Sequence, residues 1–405
     1  MTPSPSEIIE LAAGLRGRGG AGFPTATKLA SVRRAAAPRT VVANGEEGEP
    51  GSLKDRWLLR ERPELVLEGL RLAAVAIEAD RSVVYFSDQA AEQSVIRLAP
   101  PTVEIIRVAP RYVAGEETSI VRVLDGGPAL PLAKPPRPYE QGVLVLNVES
   151  LARLARRAAG ESDPPLLATL TGGGRPATLH EVHPGTTLRA LTEAHTPDPV
   201  RGVLAGGLFG GFLTTLDVEV SHDGLAAAGS ALGCGAFRVL GPDDCPVAVA
   251  AAALDYLAGQ SAQQCGACIR GTDALSATVA ALRAGTATAA DLDLLATRAS
   301  RLPGRGACGL PDAAARLATS LLTVFPAVVR RHLIPGCEAC RLPVDLHATS
   351  TSAPPQPARR LDQHTTSTSA PPQPARHLDQ HTTPTSPPPR PARDLDQHAI
   401  EGVRA

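Results

Sequence analysis

At 405 residues the chain exceeds what one hydrophobic core usually organises, so two or three domains with room for a large cofactor are expected. The 40 Lys+Arg balance 41 Asp+Glu, a net charge of -1, which excludes the basic footprint of a nucleic-acid binder. Residues 1–15 carry no basic cluster before an apolar run, and the longest apolar stretch, 247–257, is broken by Asp255 and too short to span a bilayer, so a cytoplasmic protein without membrane insertion is expected.

Glycines dominate the first motif, GLRGRGGAGFPTATK (14–28). Gly17, Gly19, Gly20 and Gly22 let backbone amides turn toward a phosphate, with Arg16, Arg18 and Lys28 available to neutralise it; the plainer reading is a flexible loop. Short apolar runs then alternate with helical patterns: strands at 40–43, 82–86 and 103–106, helices at 64–79 and 89–98. That alternation predicts an α/β layer fold. Directly after the first strand, NGEEGEPGSLKDR (44–56) crowds Glu46, Glu47 and Glu49 at a strand's carboxyl end. They suit recognition of ribose hydroxyls or a flavin edge, or form a solvated turn paired with Lys54 and Arg56. Gly-Glu-Glu-Thr at 115–118 is by itself a helix start with acids near the positive end of the dipole.

From about residue 164 short strand candidates with turn signals, followed by the glycine-dense VLAGGLFGGFLT (203–214), predict a small β-containing domain. Residues 245–333 are rich in Ala and Leu with helical periodicity and predict a bundle of about four helices. The tail repeats STSAPPQPARRLDQHTT (350–366) at 367–383 and, degraded, from 384; it lacks an apolar face, so disorder is expected, with His364, His381 and His398 as solvated residues. All seven cysteines lie in the C-terminal half, two pairs in C-x-x-C spacing, and without an export signal this favours metal over disulfides.

In order and spacing these motifs, with YVAGEET (112–118), KPP (134–136) and LNVES (146–150), resemble the FMN- and NADH-binding subunit of bacterial respiratory NADH:quinone oxidoreductase and its relatives in NAD-reducing hydrogenases and formate dehydrogenases. The resemblance runs from about residue 14 to 333. It implies a Rossmann-like α/β FMN-binding domain (1–163), a small ubiquitin-like β-grasp domain of the soluble-ligand-binding (SLBB) kind (164–244), a helical iron–sulfur domain (245–341) and the disordered tail (342–405). It also implies FMN on Gly17, Arg18, Gly19, Gly20, Lys28, Asn44, Glu46, Glu47, Tyr112, Gly115, Glu116, Asn147 and Ser150, with NADH as donor on Phe23, Glu49, Glu117 and Lys134. The chemistry implied is hydride transfer to the flavin and single-electron release to an iron–sulfur centre, then to a partner protein or subunit carrying further centres, with no side chain as acid or base. Gly206–Gly211 falls where the family packs its β-grasp domain on the flavin domain.

Two family features are altered. Aromatic rings that clamp adenine are absent after Lys28 and at Arg137, and the cluster motif keeps Cys265, Cys268 and the distal Cys308 but has Gly271 where the third cysteine falls. A 4Fe-4S cluster takes four thiolates. Cys337 or Cys340 completes the set, a smaller or differently ligated cluster forms, or none forms; Cys234 and Cys245 are expected as ordinary buried residues. These departures keep open a relative that has lost NADH or cofactor chemistry and acts as a flavin-binding or assembly module.

Overall fold

A computed structural model describes residues 3–347 and the dipeptide Arg359–Arg360. The chain opens with α1 (Pro5–Leu11), started by a Ser4/Glu7 capping box, and α2 (Thr25–Arg34). There follow β1 (Thr40–Asn44), α3 (Lys54–Glu61), α4 (Pro63–Ile77), β2 (Arg81–Phe86), α5 (Gln89–Leu98), β3 (Val103–Arg107), α6 (Glu117–Leu124), β4 (Val143–Asn147) and α7 (Val148–Ala158). The four strands are parallel in the order β3-β2-β1-β4. Parallel neighbours need crossover helices, which cover both faces and explain the uninterrupted apolar run Val41, Val42, Ala43 in β1. Helix α4 is apolar on nearly every side because it lies between the sheet and α7, where Gly69 stands so close to the Leu151 backbone that a Cβ would overlap it. Asn44, Tyr85 and Asn147 are register partners at the same carboxyl edge, which is where open α/β sheets place their ligands.

A second sheet follows: β5 (Leu166–Gly172), β6 (Arg175–Val182), α8 (Leu188–His195), β7 (Gly202–Ala205), β8 (Gly211–Leu213), α9 (His222–Ala227) and β9 (Ala236–Leu240). Its order is β6-β5-β9-β7-β8, with β5 and β9 parallel and the other pairs antiparallel, and β10 (Arg359–Arg360) alongside β6. It has its own core around Leu170, Leu188, Leu191, Phe237 and Val239. Polar contacts tie it to the parallel sheet, the Leu53 amide donating to Thr169 Oγ1 at 3.1 Å and the Leu167 amide to Glu149 Oε1 at 2.8 Å.

The helical region contains α10 (Pro246–Gly259), α11 (Asp273–Ala284), α12 (Ala289–Arg301), α13 (Leu310–Val324) and α14 (Pro326–Arg331). The four expected long helices are present, but the last pattern divides at Phe325 because Pro326 has no N–H to continue the ladder. A π-helical turn over Ala267–Thr272 precedes α11. Among the described residues no helix is long and apolar enough to cross a membrane. Residues 342–347, expected in the tail, pack back: Leu346 is buried, and Arg238 donates to the Asp345 carbonyl at 2.8 Å. The repeats beyond 347, apart from Arg359–Arg360, lie outside the described residues, with His364, His381 and His398.

Candidate functional site

At the carboxyl edge of the parallel sheet lies a hollow of about 820 Å³, counting its open mouth. Its floor and walls come from the glycine loop (Arg18, Gly19, Gly20), the acidic loop after β1 (Asn44, Glu46, Glu47, Glu49), the 112–116 segment (Tyr112, Gly115, Glu116) and Asn147 at the end of β4. Gly206, Phe209 and Cys234 of the second sheet and Cys308, Gly309 and Leu310 of the helical region close it. Gly20 has φ +113°, a conformation that favours glycine, and a Cβ there would meet nothing within 4 Å; at Gly19 it would meet only Asn147 Cβ, at 3.6 Å. The backbone is therefore bare on the side facing the hollow, as a cradle for a phosphate requires.

The surrounding loops hold one another rigidly. Asn44 Nδ2 donates to the Gly115 carbonyl at 2.9 Å while its Oδ1 accepts from the Glu46 amide at 3.1 Å. Asn147 caps α7, its Oδ1 accepting from the Glu149 amide at 3.0 Å and from Lys54 Nζ at 3.0 Å, and its Nδ2 donating to Asp55 at 2.9 Å. Gln260, at the end of α10, accepts from the Tyr112 amide, and Tyr256 donates its hydroxyl to the Gly48 carbonyl at 3.1 Å.

Several expected site residues stand elsewhere. Arg18 reaches the hollow with its loop: its guanidinium is fully buried, paired with Glu149 at 2.9 Å and donating to the Leu167 and Cys234 carbonyls, so it fastens the parallel-sheet region to the second sheet where phosphate neutralisation was expected. Ser150 lies behind the loop, accepting from the Arg18 amide at 2.9 Å. Lys28 pairs with Glu117 and donates to the Val145 carbonyl, and Gly17 donates to the Phe23 carbonyl at 2.9 Å; neither lines the hollow. Of the residues considered for NADH, Glu49 is on the wall, Lys134 pairs with Glu116, Glu117 with Lys28, and Phe23 stacks on Tyr139 with centroids 5.6 Å apart. Sequence reading overlooked Tyr139, Asp55, Phe209 and Cys234. The signal for Phe209 was present in Gly206–Gly211, which also supplies the Leu208 amide to Glu49 at 2.8 Å. Cys234, expected as an ordinary buried residue, is part of the wall.

The acidic loop is buried, contrary to a solvated turn. Desolvation raises the Glu46 carboxyl to about 7, only partly opposed by Ser87 and the Arg111 amide, and its Oε2 has no hydrogen-bond partner. Desolvation likewise raises Glu49 to about 7 and Asp55 to about 6. Glu47 is desolvated too, but Arg56 and Lys54, with Ser52 and the Asp55 amide, outweigh that and hold it below the usual carboxylate range. Near neutral pH the hollow thus presents carboxyls able to donate as well as accept.

The cysteines divide into two groups. Cys265 and Cys268 flank the start of the π-turn and lie close to each other and to Cys308, which lines the hollow. Gly271 lies near the end of that turn, and a Cβ there would fall 2.5 Å from Leu302 Cδ1, so a leucine fills the space of the absent thiolate. Cys337 and Cys340 do not complete this set. They join His332 and Cys245, the latter expected as an ordinary buried residue, in a separate cluster whose four ligand atoms lie within 4.8 Å of one another. Pro335 and Gly336 turn the chain back toward the start of α10, not toward Cys308.

Two family models match this chain: the Nuo51 FMN-binding domain over residues 11–156 and the NADH-ubiquinone oxidoreductase-F iron-sulfur binding region over 248–332. An F-type NADH-quinone oxidoreductase subunit of Rhizobium meliloti, the second of that type, is 32% identical over 376 residues, 82% of this chain and 89% of the relative. The NADP-reducing hydrogenase subunit HndC of Solidesulfovibrio fructosivorans is 29% identical, covering 82% of this chain and 77% of its own. Among solved structures, a chain of an NAD+-reducing [NiFe]-hydrogenase in the H2-reduced state superposes with a TM-score of 0.73 at 31% identity, covering 83% of this chain and 64% of that one. The chain thus spans somewhat less than two thirds of that hydrogenase chain.

Proposed function

Because the chain belongs to the family of F-type NADH-quinone oxidoreductase subunits, with its FMN-binding and iron–sulfur regions, we propose that it is the flavin subunit of an NADH:acceptor oxidoreductase. One observation carries the reading: Cys308 stands on the wall of the hollow that also contains Gly19, Gly20, Asn44, Glu116 and Asn147. A flavin site and a thiolate ligand share one wall, as an electron path requires.

The residues fit FMN. The bare amides of Gly19 and Gly20 beside the N-terminus of α7 suit its phosphate, and Asn44, Glu46, Glu47, Tyr112, Gly115 and Glu116 suit its ring and hydroxyls. FMN, when bound, supplies two-electron acceptance from a nicotinamide and one-electron release. The protein's part is positioning: Glu46, with one buried oxygen unpartnered, can donate to a ring acceptor, and burial keeps Tyr112 protonated. Phe23, stacked on Tyr139, gives NADH a ring surface, and Lys134 a charge for its phosphates, with Glu49 and Glu117 as polar contacts. Cys265, Cys268 and Cys308 fit three corners of an iron–sulfur cluster; the fourth meets Leu302 and lacks a cysteine. The acceptor would be an iron–sulfur protein or partner subunit in the cytoplasm, and a quinone would be reached only through it. The strand order β6-β5-β9-β7-β8 with its parallel β5-β9 pair supports the ubiquitin-like reading of the second sheet.

A second reading, a flavin-binding module that no longer passes electrons on, draws support from Leu302 in the place of a ligand. Flavin and iron content of the purified chain, followed by anaerobic addition of NADH, separates them. Bound flavin and iron, both reduced by NADH, are expected. Flavin that bleaches without iron supports the second reading, and a colourless protein that refuses added FMN overturns both.

A further inference from the structure

We infer that Cys245, His332, Cys337 and Cys340 form a tetrahedral site for one zinc ion, separate from the iron–sulfur centre, that pins the chain after the last helix to the start of the helical region. Spacing decides the kind of metal. Ligands about 2.0–2.3 Å from a single zinc stand roughly 3.5–3.8 Å apart at the corners of a tetrahedron. Here Cys245 Sγ and His332 Nε2 are 3.3 Å apart, His332 Nε2 and Cys340 Sγ 3.3 Å, Cys340 Sγ and Cys245 Sγ 3.4 Å, and all four ligand atoms fall within 4.8 Å. An iron–sulfur cluster distributes its thiolates over separate irons, and so compact a set has room for one ion. Three thiolates and one imidazole make a closed structural zinc set.

The surroundings are prepared for it. His332 Nδ1 is bonded to the Val328 carbonyl at 2.8 Å, which fixes the tautomer with Nε2 free to bind metal. His332, Cys245 and Cys340 are 2%, 6% and 8% exposed, and Cys337, half-buried, stands on the solvent side of the set. Cys245 is the N-cap residue of α10, at the positive end of the helix dipole, which favours a thiolate. The iron–sulfur region matched by the family model, 248–332, omits all three of these cysteines. Beyond the site, Arg283 holds the Cys340 and Leu342 carbonyls, each at 3.0 Å, and His347 packs on Tyr256, which donates to Gly48 in the flavin hollow. An ion here would anchor the segment that braces that loop.

The test is elemental analysis of the full chain purified from zinc-supplemented cells. One zinc per chain is expected, retained in Cys265→Ser and Cys308→Ser while their iron is lost. His332→Ala and Cys340→Ser should lower zinc occupancy at least about tenfold under competition with a chelator. His332→Cys should keep zinc, and its cobalt-substituted form should show tetrahedral thiolate bands; this holds the idea open to refutation even if the alanine variant does not fold. Wild-type protein without zinc, iron in this site, zinc lost on Cys265→Ser, or a disulfide joining Cys245 or Cys337 to Cys340 would each overturn it.

Discussion

The flavin hollow and the helical region beside it have kept the family's equipment by different rules. In the hollow the phosphate cradle is built of backbone, from amides bared at Gly19 and Gly20 and loops braced by Asn44 and Asn147, so loss of an aromatic side chain nearby leaves the cradle standing. In the helical region an iron–sulfur site depends on a count of ligands, and Gly271 stands against Leu302 where the family motif has a cysteine. Backbone-built sites tolerate substitution around them, whereas ligand-counted sites change state with one residue.

The sharpest way to break this contrast is to fill the cradle. Gly20→Leu puts a side chain into the hollow on a backbone with φ +113°, and flavin occupancy should fall by well over about tenfold, more than about 1.4 kcal/mol. Flavin absorbance after reconstitution reads this; unchanged loading would mean that the phosphate lies elsewhere. The next experiment restores the missing ligand. Gly271→Cys alone must push the Leu302 side chain aside, and Leu302→Ala alone should cost about 2–5 kcal/mol as a cavity variant. Together they should give a four-thiolate cluster with higher iron content and an altered paramagnetic spectrum on reduction, and recover part of the lost stability.

Much of the hollow was legible because its motifs are contiguous: Gly19 and Gly20, Asn44 and Glu46, Gly115 and Glu116 each occupy a short run whose spacing is fixed by one turn. Gly271 was legible as an absence. The partners of the Arg18 side chain were not legible, since nothing local tells that its guanidinium meets Glu149 and reaches the Leu167 and Cys234 carbonyls of the second-sheet region. The compact Cys/His site was hidden for the same reason: Cys245 and His332 are 87 residues apart, and His332 looks like an ordinary cation at a helix end. Helices α13 and α14 read as one pattern because periodicity carries through Phe325, and only Pro326 signals the break.

A pH titration sharpens the comparison from the hollow's side. Burial raises Glu46 and Glu49 to about 7, above their unfolded values, so these two groups hold more protons in the folded chain than in the unfolded one between about pH 4.5 and 7, while His222, lowered to about 4 by desolvation, acts in the opposite sense. The stability the two carboxyls provide is complete below that window and is lost as pH rises through it. The contribution of these carboxyls is therefore the difference between wild type and the Glu46→Gln, Glu49→Gln double variant: across this range the denaturant midpoint of the flavin-free wild type should fall more, or rise less, than that of the variant. An unchanged slope would show that both carboxyls are already ionised.

The smallest effect on the fold is expected at the rim, where Lys134 pairs with Glu116 and retains 33% side-chain exposure. An exposed pair of this kind contributes about 0–1 kcal/mol, so Lys134→Ala should shift the unfolding midpoint slightly. If Lys134 meets the phosphates of NADH, the same change raises KM for NADH and leaves kcat with saturating donor unaltered, because it removes an interaction made equally in ground and transition states. A fall in kcat with KM unchanged would place the lysine's influence on the flavin through Glu116, since that carboxylate both lines the hollow and caps α6 through the Thr118 amide at 2.8 Å. Unaltered kinetics would remove Lys134 from the donor site and leave Phe23 and Tyr139 as the surface to test next.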